Sequence, residues 1–333
     1  VFFPFPIAFH RLKSYIPFTV CFSVRELYLG GEMKRINSFV LICILINLFG
    51  CHYGKSVSSS EKVEKTCLVL SVGSSKGIAQ IGAIDAIKDS GVQIDYVFGN
   101  SIGSAIGGIY AFDPSRNLKQ TIKKIFKDYK MATKKDKEES ATTGFLVGVG
   151  LMFLSGGAFG WETVLGSTYL GSESEQLVDN DRFKRVLDKH FKKTGIEDMP
   201  IPFATSYKVK KNSGLELQIA NNGNIADAIA KSCNNKYIFK NTTLKYVDPG
   251  VDRIGIVPID DAYNTFHPTR IIAINVSDSP AIYSSDLSCD VIEISVQVRE
   301  LELGVSNVEL NEQIEALYLA GYTATQKVLD EIF

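Results

Sequence analysis

The feature that most constrains this chain is a serine in a Gly-x-Ser-x-Gly pattern, where a predicted strand meets a predicted helix. The apolar run Ile94–Phe98 predicts the strand, Gly99-Asn-Ser-Ile-Gly103 follows it, and the small-residue stretch 104–111 predicts the helix. A nucleophile at such a sharp turn has strained dihedral angles and needs neighbours without Cβ atoms. The helix also directs its N-terminal amides towards charge that develops near the serine. Ser101 is therefore a candidate nucleophile, and a simple tight turn is the alternative interpretation.

A second glycine-containing loop lies upstream, again between a predicted strand and a predicted helix. The apolar run Cys67–Ser71 predicts the strand, and the loop Val72–Gly77 follows it. A predicted helix comes next, because isoleucines recur every three residues, at Ile78, Ile81, Ile84 and Ile87. Gly91 has the position of a helix C-cap. The loop lacks both the G-x-x-x-x-G-K-(S/T) and the G-x-G-x-x-G spacing, which argues against a nucleotide-binding loop.

Three segments, in this order, resemble the motifs of the patatin-like phospholipase family. They are Leu68–Gly82, Ile94–Gly103 and Lys245–Gly250, where the family has a glycine-rich loop, a G-x-S-x-G elbow and an Asp-Gly motif. Val257–Asp260 resembles the proline-hydrophobic segment that follows the family's aspartate, although the family's asparagine is absent. Leu319–Gln326, in the predicted C-terminal helix, also looks familial. The resemblance extends from about residue 67 to that helix.

The resemblance implies an α/β fold with three layers, α/β/α, around a mainly parallel central sheet. The site is expected at the carboxyl ends of the strands. The implied activity is the hydrolysis of carboxylic esters of lipids, as in a phospholipase A, through an acyl-enzyme on Ser101 with Asp248 as the base. The loop would form the oxyanion hole from the backbone amides of Gly73, Ser74, Ser75, Lys76 and Gly77. Gly99 and Gly103 would shape the elbow around the nucleophile. No cofactor or metal is implied, since the sequence shows no ligand cluster.

The scarcity of histidines supports a Ser-Asp dyad rather than a triad. Only His190 and His267 lie in the predicted domain, and a Ser-His-Asp triad would need one of them in the site. His190 belongs to a basic amphipathic stretch, 182–193, where a solvated histidine is the favoured interpretation. His267 precedes a proline at a predicted loop position, just before the strand-like run 270–275. The scarcity of histidines thus supports a carboxylate base, and the resemblance implies that this base is Asp248.

Three departures from the family pattern bear on activity. Val72 and Ser74 replace glycines of the family loop, and Val72 would be strained if its site required a positive φ. Pro249 replaces the glycine after the aspartate, which fixes φ and removes an amide. The segment Ser232–Phe239 lacks the proline of the corresponding family segment. A catalytically degenerate member that binds lipid or a partner protein without turnover is therefore the alternative function.

The N-terminal part of the chain is typical of a targeting signal. Residues 33–50 combine a basic start, an apolar run of about 11 residues and a small residue before Cys51. Leu48–Cys51 resembles the lipobox of bacterial lipoproteins, although Phe49 departs from the usual residue. Lipidation at Cys51 would attach the protein to a bacterial membrane in the cell envelope, on the periplasmic or the surface side. An uncleaved signal anchor is the alternative.

The remaining boundaries follow from composition. Residues 1–32 are expected to be an upstream extension, because they lack periodicity and precede a complete signal that begins at Met33. Residues 51–66 are polar and serine-rich, which suits a flexible tether. Residues 67–333 are left as the patatin-like acyl hydrolase domain, a length that suits one α/β domain.

Two further stretches bear on partners. Gly144–Trp161 is apolar and contains six glycines, so it predicts either a flexible cap that engages acyl chains or a bilayer, or a buried core segment. Lys119–Lys137 contains eight lysines with apolar residues on one face, which fits a solvated helix or a helix that binds anionic lipid. The formal net charge of -1 gives no case for nucleic acid. The expected partners are a phospholipid or other lipid ester and a membrane surface.

Overall fold

The computed structural model describes residues 64–122, 124–125, 128, 178–235, 239–240, 245–251, 256–301 and 307–332. The predicted signal, the lipidation site Cys51, most of the predicted tether and the apolar stretch 144–161 lie outside these residues. So does most of the lysine-rich stretch. Its first part, residues 119–122, is helical, and Ile122 and Ile125 are buried in the core.

The described strands form one large mixed sheet and one small parallel pair. In chain order they are β1 (Thr66–Leu70), β2 (Tyr96–Gly99), β3 (Val178–Asp179), β4 (Phe203–Lys211), β5 (Gly214–Ala220), β6 (Phe239–Lys240), β7 (Tyr246–Val247), β8 (Arg270–Asn275) and β9 (Asp290–Ser295). The large sheet has the order β5-β4-β2-β1-β8-β9, and β7 also pairs with β4. The neighbouring strands β4, β2, β1, β8 and β9 are parallel to one another. Strands β5 and β7 are antiparallel to β4. Strands β3 and β6 form the small pair.

Six helices have defined bounds in the described residues. They are α1 (Gly77–Ser90), α2 (Ile102–Phe112), α3 (Asn180–His190), α4 (Ile225–Ser232), α5 (Ile259–Phe266) and α6 (Asn307–Ile332), with 3-10 turns at Ser74–Lys76, Ile196–Asp198 and Pro249–Val251. Helix α1 ends at Gly91, whose φ of 75° is the left-handed C-cap that the sequence predicts. None of the helices within the described ranges is both long and apolar enough to cross a membrane.

Alternate residues of the sheet face two separate cores. Leu68 and Leu70 of β1 belong to a core that includes apolar residues of α1, α2, α3, α4 and α6. Cys67 and Val69, the alternate positions, belong to a second core with Ile259 and other residues of α5. All five residues of β1 are buried, as expected for a central parallel strand covered on both faces. The predicted three-layer α/β/α fold with a mainly parallel sheet is confirmed.

Helices α1 and α6 approach each other at backbone distance. A Cβ atom on Gly82 would overlap the carbonyl of Tyr318, and one on Gly321 would overlap the carbonyl of Ala79. Two glycines therefore let the helices pack more closely than side chains would allow. The hydroxyl of Tyr318 donates to Asp85 at 2.9 Å beside this contact. Helix α6 is thereby fixed on the helix that follows the glycine loop.

Candidate active site

Ser101 lies at the turn between β2 and α2, as the sequence predicts. Its backbone has φ 52° and ψ −124°, a strained conformation for a residue with a side chain. Gly99 and Gly103 make the turn possible, because other backbone atoms approach both of them too closely for a side chain. A Cβ atom on Gly99 would overlap the carbonyl of Gly103, and one on Gly103 would lie 2.6 Å from the carbonyl oxygen of Leu70. The two glycines therefore let the turn fold against the end of β1.

The strained turn is held by side chains that the sequence analysis did not assign to the site. The amide of Ser101 donates to Oγ of Ser232, at 2.9 Å, and Thr205 donates to the same oxygen at 2.9 Å. Asn100 is fully buried, and its Oδ1 accepts from the amide and the hydroxyl of Ser206, at 3.1 and 2.9 Å. Helix α4 and strand β4 therefore hold both residues at the apex of the turn.

The carbonyl oxygen of Ser101 is also fully engaged. It accepts from the Oγ of Ser104 at 2.6 Å, from the Sγ of Cys233 at 3.1 Å, and from the amides of Ser104 and Ala105. Burial, foremost, raises the pKa of the Cys233 thiol, and the charge of Asp248 adds to the rise. Cys233 is therefore a neutral hydrogen-bond donor that stabilises the elbow.

Asp248 is 4% exposed and lies directly after β7. Its carboxylate interacts with the side chain of Ser101 and accepts a hydrogen bond from the amide of Gly250, at 2.8 Å. Its own amide donates to the carbonyl of Asn234 at 3.1 Å. Burial raises the pKa of Asp248 to about 6, although the Ser101 side chain, the amide of Gly250 and the charge of Lys208 lower it. The structure thus brings together the two residues that the sequence analysis chose.

Pro249 removes one amide next to Asp248, but the carboxylate is not left without backbone support. Pro249–Val251 forms a 3-10 turn, and this turn presents the amide of Gly250 to Asp248. Gly250 is also packed closely, because a Cβ atom there would lie 3.0 Å from Cγ1 of Val72. The departure at Pro249 is therefore accommodated by the next residue.

The loop that follows β1 has two amides available. The amide of Lys76 donates to the carbonyl of Gly73, and that of Gly77 donates to the carbonyls of Ser74 and Ser75. The amides of Gly73 and Ser74 donate to no residue that the structure describes. Of the five residues predicted for the oxyanion hole, Gly73 and Ser74 therefore keep amides that could receive an oxyanion.

Val72 does not need a positive φ and is not strained, and the reason is the path of the loop. Val72 is not among the described residues with positive φ, and its amide donates to the carbonyl of Ile256 at 2.9 Å. Ser74 adopts the left-handed conformation instead, with φ 51°. Of the two positions at which the family has glycine, Ser74 is thus the one with a positive φ. A small polar side chain tolerates this conformation better than valine would.

Lys76 fixes this loop to the end of β8. Its side chain is buried, and its Nζ lies 2.5 Å from Oδ1 of the exposed Asp278. Glu300 lies in the same charged cluster, and burial raises its pKa to about 7, with Lys76 lowering it and Asp278 raising it. The hydroxyl of Ser75 accepts from the amide of Leu301 at 3.3 Å. The loop is therefore held by side chains rather than by its own backbone alone.

Lys208 is a site residue that the sequence analysis missed. It belongs to β4, is 7% exposed, and interacts electrostatically with Asp248 and with Asp261 of α5. Burial lowers the pKa of Lys208, and the two carboxylates oppose that change. The only signal in the sequence is a set of polar residues in the first, buried part of β4, at Thr205, Ser206 and Lys208.

The two histidines of the predicted domain lie elsewhere among the described residues. His190 hydrogen-bonds Oδ2 of Asp128 at 3.0 Å, and its side chain is 9% exposed, so the expectation of a solvated side chain is wrong. Burial, the largest effect, lowers the pKa of His190. His267 caps α5 with φ 48° and packs edge-on against Tyr263. Neither is a hydrogen-bond partner of Asp248 in the described part of the chain.

Similar proteins share short stretches of this sequence. The chain is 48% identical over 90 residues to Lysophospholipase NTE1 of Meyerozyma guilliermondii, which covers 24% of this chain and 6% of that protein. It is 59% identical over 44 residues to Lysophospholipase NTE1 of Yarrowia lipolytica, covering 13% and 3%. The chain therefore spans only a few per cent of the length of these curated relatives.

Among solved structures, VipD from Legionella pneumophila matches with a TM-score of 0.37 and 14% identity, covering 80% of this chain and 67% of that one. The ExoU–SpcU complex of Pseudomonas aeruginosa matches with a TM-score of 0.38 and 14% identity, covering 80% and 52%. The model of the family described as patatin-like phospholipase matches residues 68–262, more than half of the chain, and this range includes the glycine loop, Ser101 and Asp248. The chain belongs to the patatin-like phospholipase family.

Proposed function

We propose that the protein is a lipid acyl hydrolase that cleaves carboxylic esters of phospholipids, with Ser101 as nucleophile and Asp248 as general base. The observation that carries the proposal is the interaction of the Ser101 side chain with a buried carboxylate at a strained elbow. Covalent catalysis by a serine requires that the nucleophile and its base lie within hydrogen-bond reach of each other. Family membership and lysophospholipase relatives support a lipid ester as the substrate.

In the first half-reaction, Oγ of Ser101 attacks the ester carbonyl carbon while its proton passes to Asp248. The carbonyl π electrons move to oxygen, and the amides of Gly73 and Ser74 receive the oxyanion. A single oxyanion donor contributes about 3–4 kcal/mol to transition-state stabilisation in other hydrolases. The tetrahedral intermediate then collapses, the ester C–O bond breaks, and the leaving alcohol takes the proton from Asp248. An acyl-enzyme on Ser101 remains.

In the second half-reaction, water replaces the alcohol. Asp248 takes one proton from the attacking water, and the same two amides receive the second oxyanion. Collapse of this intermediate breaks the bond between the acyl carbon and Oγ, and the proton on Asp248 returns to Ser101. The products are a fatty acid and the free enzyme. No step requires a group other than the chain's own residues, the ester and water.

The pKa of Asp248 suits this role. A base with a pKa of about 6 is mostly ionised at neutral pH, yet it binds a proton more tightly than an ordinary aspartate. General bases work best when their pKa lies near the working pH. The burial that destabilises the charged carboxylate is therefore useful in catalysis.

A fluorophosphonate probe tests the proposal directly. Purified protein is expected to be labelled at Ser101, and Ser101→Ala is expected to lose both the label and the release of fatty acid from a short-chain ester. Thr323→Ala, an exposed change on α6, is the matched control and should keep both. If the unmodified protein is neither labelled nor active, the protein is a member that binds lipid or a partner without turnover.

We also propose that lipidation at Cys51 attaches the protein to a bacterial membrane in the cell envelope. The lipobox-like segment Leu48–Cys51 after a basic and apolar signal supports this location. A polar, serine-rich stretch separates Cys51 from β1. A tether of this composition would let the active site reach lipids of the same membrane.

A further inference from the structure

One face of strand β5 carries exposed apolar side chains in a regular row. Leu215, Leu217 and Ile219 alternate with polar residues and are 48%, 40% and 40% exposed. We call these three residues the β5 stripe. An alternating pattern of this kind normally places the apolar face in a core. Here β5 is the edge strand of the described sheet, and its apolar face remains open.

The face of the hairpin that carries the β5 stripe also carries one exposed lysine, Lys210. Residues directly opposite in neighbouring antiparallel strands share a face, and the register places Lys210 opposite Leu215, Lys208 opposite Leu217 and Ser206 opposite Ile219. Lys210 is exposed. No acidic residue occupies this face of the β4–β5 hairpin. Its one acidic residue, Glu216, is on the other face and is paired with Lys211.

The β5 stripe is close to the candidate active site. Lys208, opposite the middle of the stripe, interacts with Asp248 and with Asp261 of α5. Strand β4 pairs with β2 through Phe203 and Ala204 and then continues beyond it to pair with β7, directly before Asp248. The hairpin therefore extends past the carboxyl end of β2, the edge at which Ser101 lies. Val251, three residues after Asp248, is a further exposed apolar residue near this edge.

We propose that the β5 stripe and Lys210 dock on the surface of an anionic phospholipid bilayer and hold the active site against its substrate. An apolar row about 13 Å long, given the rise of a strand, can enter the boundary between headgroups and acyl chains. A neighbouring exposed lysine on the same face matches negatively charged headgroups. The proposal rests on the proposed function for its purpose, but docking is measured separately from catalysis.

A tryptophan placed in the β5 stripe tests the contact locally. Trp161, the chain's one tryptophan, is replaced by phenylalanine, and Leu217→Trp or, as a control, Leu319→Trp is added to the full chain. Leu319 is 51% exposed on α6. Vesicles of phosphatidylcholine with phosphatidylglycerol are expected to shift the emission of Leu217→Trp to the blue and to leave that of Leu319→Trp unchanged. Equal shifts in both proteins, or no shift in Leu217→Trp, would overturn the proposal.

Sedimentation with vesicles measures the strength of docking. The triple variant Leu215→Thr, Leu217→Thr and Ile219→Thr keeps good strand formers and removes most of the apolar surface. Its partition onto vesicles containing phosphatidylglycerol is expected to fall about tenfold, because the transfer of three apolar side chains is lost. The matched control, Ile282→Thr, Val308→Thr and Leu319→Thr, removes three side chains that are 51–68% exposed elsewhere. It should bind as the unmodified protein does.

Two further measurements separate the possible outcomes. The stripe variant is expected to hydrolyse a soluble short-chain ester within about twofold of the unmodified rate, and to lose activity on vesicles in proportion to its binding. Loss of Ser101 labelling with normal vesicle binding would contradict the proposed function alone. Unchanged vesicle binding by the stripe variant would contradict docking alone. A dimer of the unmodified protein that the stripe substitutions convert to a monomer would instead assign the stripe to a second copy of the chain and overturn the proposal.

Discussion

At Asp248, burial and hydrogen bonding act in opposite directions on one carboxyl group. Burial, the larger effect, raises its pKa, and contacts with Ser101, Gly250 and Lys208 lower it, with a result of about 6. Without these contacts the pKa would be higher, and a smaller fraction of the carboxylate would be ionised at neutral pH. In the proposed mechanism, the residues around Asp248 therefore determine how much of the base is ionised at a given pH.

The pH dependence of hydrolysis is expected to report this pKa. For a soluble short-chain ester, kcat/KM should fall tenfold per pH unit below a midpoint at about pH 6, because the base must be unprotonated in the free enzyme. Lys208→Met should move that midpoint to higher pH, because it removes a positive charge that lowers the pKa of Asp248. Lys211→Met, an exposed change three residues along β4, should not. A midpoint near the ordinary aspartate value would contradict the assignment of Asp248 as base.

The same pKa predicts a cost in stability. Because the carboxyl pKa is raised in the folded protein, ionisation of Asp248 opposes folding. This free-energy cost is present in full above about pH 6 and disappears below the unfolded pKa of 3.8. A shift of that size corresponds to about 3 kcal/mol. Asp248→Asn should therefore gain up to about 3 kcal/mol in free energy of unfolding, relative to the unmodified protein, between pH 4 and pH 8.

Urea unfolding at the two pH values measures this difference. Asp286→Asn, in an exposed loop, is the control. Its free energy of unfolding should differ from that of the unmodified protein by the same amount at both pH values. A relative gain that does not grow with pH would mean that Asp248 is not destabilised by burial. A gain that does grow would support an aspartate kept for activity at the expense of stability.

Among the elements, helices α1 and α6 form the most demanding contact. Gly82 and Gly321 bring the two backbones together where no Cβ atom fits. Gly321→Val is expected to lower the free energy of unfolding by at least about 3 kcal/mol, because a branched side chain must push the helices apart. Thr323→Val, two residues along the same helix and exposed, should have little effect. The test is denaturant unfolding, and a loss of less than about 1 kcal/mol for Gly321→Val would contradict the close packing.

Most of the elements around the elbow could be predicted from local patterns. The helix of spaced isoleucines, its glycine cap, the strand before Ser101 and the strand Arg270–Asn275 are all observed, with small shifts at the ends. These elements carry their signal within about fifteen residues, as an apolar period bounded by glycines. The pairing of β4 with β7 carries no such signal, because it joins residues about 40 apart in sequence.

The same distinction explains which site residues were predicted. Ser101 and its glycines form a compact motif, whereas Ser232, Ser206 and Lys208 act on the site through contacts between distant segments. The sequence left the conformation of Val72 open for a related reason. Whether a loop residue needs a positive φ depends on the loop's path, and the bond from Val72 to Ile256 determines that path here.

At the scale of the whole molecule, attachment to a membrane is expected to come from two sources. The proposed lipid on Cys51 would hold the protein near a bilayer, and the β5 stripe would orient the active site on it. Metabolic labelling with a fatty acid in bacterial cells is expected to mark the unmodified protein and not Cys51→Ser. Cys67→Ser, a change at a buried cysteine, is the control and should keep the label. A label that survives in Cys51→Ser would contradict lipidation at that residue.

Strand β4 has a consequence for how this protein tolerates changes in length. Thr205, Ser206 and Lys208 each contact a different part of the site, and alternate residues face opposite sides of the sheet. One residue inserted or deleted before Lys208 would turn all later side chains to the wrong face and separate the base from its neighbouring charge. At the turn 212–213, between β4 and β5, an inserted residue would only lengthen the hairpin. We therefore expect that the insertion or deletion of one residue is tolerated at that turn. The same change a few residues earlier, within β4, is expected to abolish activity.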